Sequence, residues 1–286
     1  MYKQRTLKFD FFNETQAFDK EGNTQISLAD VKAMFKVGVY GNQTGVQAEM
    51  SIYGLSLELL AALSSKGIGI WTNNKERIRV VVHADETLMF NGYIYSSFAN
   101  MNAAPDAPLI INAAGGLDLQ TQSAPPFSRP GPVNLVDVLR AICEPYKYRV
   151  NAVGIDGVVI NNAHLVGSPL GQVIEACNLA NVSMTVTGDL VTVWPRGNAV
   201  DDVVPFVSPD QGLIGYPVFT QSGITFQTEF SPLLSQGRFI QLETSLPHAS
   251  GRYMLYVVEH YLSAWIDGGP WHSICQGAKV ISQEAK

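Results

Sequence analysis

Charge and cysteine are the scarce components of this 286-residue chain. Asp, Glu, Lys and Arg together make up 15% of it, against about a quarter in an ordinary globular protein. The three cysteines, Cys143, Cys177 and Cys275, are odd in number and far apart. That excludes a disulfide framework and fits a chain made in a reducing cytosol. No run approaches the roughly 18–20 consecutive apolar residues of a membrane-spanning helix, so membrane insertion is not expected. The N-terminal stretch Met1–Lys8 is charged and has no apolar core behind it, which argues against a secretory signal. A net charge of −6 argues against a nucleic-acid backbone as the main ligand.

Catalytic patterns are also missing. There is no Cys-x-x-Cys, His-Glu-x-x-His or Gly-x-Ser-x-Gly, and Ala113-Ala114-Gly115-Gly116 lacks the lysine and hydroxyl of a phosphate-binding loop. His260, His272 and Cys275 do not have zinc-site spacing and would need a fourth ligand. Asp85-Glu86 and Asp201-Asp202 are adjacent pairs that point in different directions, so they read as solvated turn carboxylates and not as an acid/base pair. Cys143 and Cys177 fall on core-facing helix positions, where a thiol packs as a small hydrophobe with no base beside it. The expectation is a non-enzyme with no catalytic residues, no metal and no cofactor.

What is present is apolar residue in regular patterns, 46% of the chain, enough for two or three domains. The low charge has two readings that the sequence leaves open: surface covered by partners, or uncharged polar faces on β domains. Over residues 1–120 alternation predicts strands at Thr6–Phe11, Phe35–Tyr40, Val46–Ile52, Arg77–Ala84, Leu88–Ser97 and Leu109–Ala113. Gly41-Asn42-Gln43-Thr44-Gly45 supplies the turn of a hairpin. Ser56 caps a short helix, Leu57 to Leu63.

Residues 121–132 carry four prolines and read as a linker. Over 133–198 the period changes. Leu135, Val138, Leu139 and Ile142 form one helical face behind an Asn134 cap, and Leu170, Val173, Ile174 and Cys177 repeat it 35 residues later behind Ser168. Each helix is followed by an extended run, Tyr148–Asn151 and Ser183–Val186, which makes a duplicated helix–strand unit. A hairpin through Gly188-Asp189 then returns as Leu190–Trp194, and Pro195–Asn198 marks a second boundary. Residues 199–286 predict an all-β domain of short strands among Gly and Pro turns, with Ile224–Thr228, Phe239–Glu243 and Tyr253–Tyr261 extended and the tail after Gly277 frayed. The expected fold class is mainly β with an α+β middle domain. Tyr216, Phe219, Trp265 and Trp271 cluster among these turns, and Tyr216, Trp265 and Trp271 are the interface candidates.

Three stretches carry a resemblance. They are Ile52-Tyr53-Gly54-Leu55-Ser56, Phe90-Asn91-Gly92-Tyr93-Ile94, and above all the series from Val207–Phe219 through Phe230–Leu234, Gly237–Leu242 and Gly251–Tyr253 to Gly268–Ser273. In order and spacing they resemble the baseplate hub proteins of contractile-tailed bacteriophages (the central hub, or late control protein D-like, family). The resemblance implies two β-barrel-like domains flanking the duplicated insertion. It implies a homotrimeric ring of pseudo-sixfold symmetry, joining the sixfold tail tube protein to a trimeric central spike protein. Tape-measure and baseplate wedge proteins are further implied partners, and DNA passes the ring without specific binding. The place implied is the virion tail baseplate, assembled in the host cytoplasm. No lysozyme or peptidase segment is evident, so a separate spike subunit is expected. Competing expectations are a distal tail or tail-assembly protein of a non-contractile phage, and a carbohydrate-binding or cell-wall-degrading tail module.

Overall fold

The computed structural model describes residues 5–40, 45–65 and 76–280. Contacts gather the chain into two compact units, each assembled from separate stretches. Met1–Gly38, Val46–Asp118 and His260–Trp271 form the first, and Val39–Gly45, Leu119–Glu259 and His272–Lys286 the second.

The N-terminal stretch supplies strands β1 (Leu7–Asn13), β2 (Gln25–Leu28), β3 (Ala33–Tyr40) and β4 (Val46–Ile52), then helix α1 (Leu57–Leu63). Strands β5 (Ile78–Ala84), β6 (Thr87–Ala99) and β7 (Leu109–Ala114) and a short helix α2 (Leu117–Thr121) follow. The sheet runs β3-β4-β7-β6-β5-β1-β2. Period-two patterning drives this assembly: Leu7, Phe9 and Phe11 of β1 and Ile78, Val80 and Val82 of β5 are all buried. The register sets Phe9 opposite Val82 and Phe11 opposite Val80, so the apolar sets share one face. Phe35 of β3 meets Phe9 edge-on, with ring centroids 6.4 Å apart. Each such fully buried side chain contributes about 1.5–3 kcal/mol. Ser56 caps α1 as expected, its hydroxyl accepting from the Leu59 N–H at 3.2 Å. β3 and β4 are neighbours, while residues 41–44 of the expected turn over 41–45 lie outside the described residues.

The middle stretch holds β8 (Phe127–Asn134), α3 (Leu135–Cys143), β9 (Arg149–Ala152) and β10 (Val159–Leu165). Then come α4 (Pro169–Leu179), β11 (Val182–Thr187) and β12 (Leu190–Pro195). The duplication is larger than the expected helix–strand pair, because a strand also precedes each helix. β8 and β10 pair antiparallel, and β9 and β11 lie on either side of β12. Asn134 and Ser168 cap the two helices, accepting from Val136 N–H at 2.8 Å and Gly171 N–H at 3.2 Å. The helices' apolar faces meet in one core with Val191 and Val193 of β12.

The expected linker is partly structured, since residues 127–132 belong to β8. Pro130 and Pro132 are tolerated because, among the described residues, β8 pairs on one side only, leaving an edge where a missing N–H breaks no ladder. At the irregularity between Asn161 and Ala163, the Asn162 side chain accepts from the Gly131 N–H at 2.8 Å.

The last stretch adds β13 (Phe206–Val207), β14 (Leu213–Thr220), β15 (Gly223–Glu229), β16 (Phe239–Leu242), β17 (Gly251–Ala264) and β18 (Trp271–Lys279). In the second unit the order is β14-β15-β18-β17, with β16 pairing β17 and β13. Its core joins Ile224, Phe226, Ile240, Leu242, Tyr253, Leu255 and Cys275. The tail expected to fray after Gly277 begins in a strand instead, since β18 carries on to Lys279 with Ile224 opposite Gly277, while residues 281–286 lie outside the described residues. The inward face of β18 includes Ser273, Cys275 and Gly277, small or polar residues that give little alternation to read. β17 belongs to both units, to the second through Glu259 and to the first from His260.

Candidate interaction surfaces

The residues considered for chemistry have structural duties. Cys143, Cys177 and Cys275 are free and buried, and burial pushes each thiol up to about 12. A thiol with so little thiolate is a poor nucleophile. His260 is buried, and burial lowers the pKa of His272. Among the described residues no group of three or more His, Cys, Asp or Glu side chains is placed to hold a metal ion.

Asp85 and Asp201 sit in turns, but neither is simply solvated. Asp85 occupies the β5–β6 turn at φ 50°, and one carboxylate oxygen accepts from both the N–H and the hydroxyl of Thr6 at 3.1 Å. Asp201 is gripped by Arg238, which donates from Nη2 at 2.7 Å and from Nε at 2.9 Å. Those hydrogen bonds hold the Asp201 carboxyl below its ordinary value, against the opposing effect of burial. These carboxylates anchor backbone and guanidinium.

The aromatic candidates divide between the units. In the second unit Tyr216 is 70% exposed on β14. Beside it Ile214, Val218 and Phe219 are exposed too, and β14 carries no charged residue at all. Among the described residues β14 ends the sheet order, with no strand paired on its other side. Edges of soluble proteins are usually guarded by charge, and an unguarded apolar edge marks surface meant to be covered. A register shift between Ile214 and Val218, around Gly215 and Pro217, interrupts the ladder to β15. The sequence pattern singles out Tyr216 and sets Phe219 in the same cluster, but not Ile214 and Val218. The available signal was the uncharged run Leu213–Thr220.

In the first unit Trp265 is 55% exposed in the β17–β18 connection, at φ 56°. A bulky side chain in the left-handed region costs on the order of 1–3 kcal/mol. Trp271 is half-buried at the start of β18, with the Arg5 guanidinium 5.3 Å from its ring centroid. Near this connection is a cavity of about 200 Å³, whose apolar wall includes Met34, Phe35, Leu262 and Pro270. Lys36, Glu49 and Tyr261 also line it, and the Lys36 ammonium stands 5.1 Å from the Tyr261 ring centroid.

No protein-family model matches the sequence, and no curated protein does. Solved structures do match. The chain is similar to the 43 kDa tail protein of prophage MuSo2 from Shewanella oneidensis, with TM-score 0.66 over 95% of this chain and 96% of that one, at 8% identity. It is similar to the tail protein from Neisseria meningitidis MC58, with TM-score 0.61 over 96% of each chain at 9% identity. The fold is that of phage tail proteins. The same tail-protein fold extends to the c3393 protein of E. coli, a component of the type VI secretion system, with TM-score 0.61 and 9% identity over 88% of this chain and 74% of that one. At such identity the tail-protein fold is kept by patterning and packing, with almost no shared side chains.

Proposed function

We propose that this chain is a structural protein of a phage tail, the trimeric baseplate hub that joins a sixfold tail tube to a trimeric central spike. One observation carries the reading: the likeness to a phage tail protein takes in 95% of this chain and 96% of the other. The likeness to a type VI secretion component supports the same reading, because that protein is itself similar to T4 bacteriophage tail proteins. In this reading residues 1–120 and 199–286 supply the two related barrels of the ring, and residues 133–198 are the insertion joined by the segment 121–132. A ring of identical copies closes through heterologous contacts, which need an apolar surface on each copy. The uncharged edge around Tyr216 and the turn bearing Trp265 are surfaces of that kind, and Trp271 lies at the foot of the same turn. A net charge of −6 suits a lumen that lets DNA pass without gripping it. The work is mechanical, and no side chain acts as a catalyst.

The test is the absolute mass of the purified chain by light scattering over a concentration series, followed by negative-stain imaging. A mass near three times 31.1 kDa and threefold rings are expected. A monomer at every concentration, with and without spike protein, would overturn the hub and favour a distal tail protein.

A further inference from the structure

We draw no further inference here: the strongest candidate, the uncharged β14 edge of the second unit with Ile214, Tyr216, Val218 and Phe219 exposed, carries none, because nothing in the structure shows what covers it.

Discussion

Arg238 clasps Asp201 with two nitrogens and spends a third on the Leu233 carbonyl, at 2.7 Å. Asp201 lies just beyond β12 of the middle stretch, and Arg238 opens the approach to β16. The Val200 N–H donates to the Gly237 carbonyl at 2.9 Å next to them, so two short segments of the second unit are pinned by side chain and backbone together. Asp201-Asp202 in the sequence suggests solvated acid. The partner that makes Asp201 an anchor is 37 residues away.

The clasp sets a pH dependence. Arg238 holds the Asp201 carboxyl lower in the folded chain than the roughly 3.9 of an unfolded one. Its contribution is therefore complete above the unfolded value and is lost as pH falls through the folded one. Asp201→Asn should lower stability by about 1 kcal/mol at pH 7, a value limited by solvent screening at 38% exposure. Urea unfolding of both proteins should give a constant gap from pH 7 to about 5 that closes below about pH 4.

Gly237 leaves no room for a side chain. Its φ is 81°, and a Cβ there would lie 2.7 Å from Cζ2 of the buried Trp194. Gly237→Ala is expected to cost about 1–3 kcal/mol, read as a lower Tm with a changed tryptophan emission. An unchanged Tm would show that Trp194 is not fixed against this turn.

Gly92 explains its place in Phe90-Asn91-Gly92-Tyr93-Ile94 by close approach. A Cβ at Gly92 would sit 2.6 Å from the Ala114 carbonyl oxygen of β7 and 2.6 Å from Cζ of Phe90. The carbonyl is backbone in the neighbouring strand and cannot swing away. Gly92→Ala should destabilise by about 1–3 kcal/mol. Gly157→Ala, with nothing within 4 Å of its Cβ, is the control and should leave the urea midpoint nearly unchanged.

The thiols should be silent in the folded chain. With Cys143, Cys177 and Cys275 buried and raised to about 12, iodoacetamide at pH 8 should label none of them until denaturant is added, when all three should react. Rapid labelling of the native protein would overturn the burial of whichever cysteine reacts.

Strands and helices with a strong hydrophobic period are legible along the chain. Leu7, Phe9 and Phe11 alternate, Leu135, Val138, Leu139 and Ile142 recur at helical spacing, and Ser56, Asn134 and Ser168 are side chains that cap locally. Such features depend on residues a few positions apart, so they can be read along the chain. Tertiary structure decided the rest. β8 was hidden by its prolines, which only a one-sided pairing with β10 makes acceptable. β18 was hidden by small inward residues that pack because β15 and β17 stand on either side. Asp201 as an anchor, Gly237 beneath Trp194, and Trp265 beside an apolar cavity each depend on partners set by sheet order and not by local pattern. Exposure likewise follows from the fold, for Tyr216 from β14 ending the sheet order among the described residues and for Trp265 from its place in the β17–β18 connection.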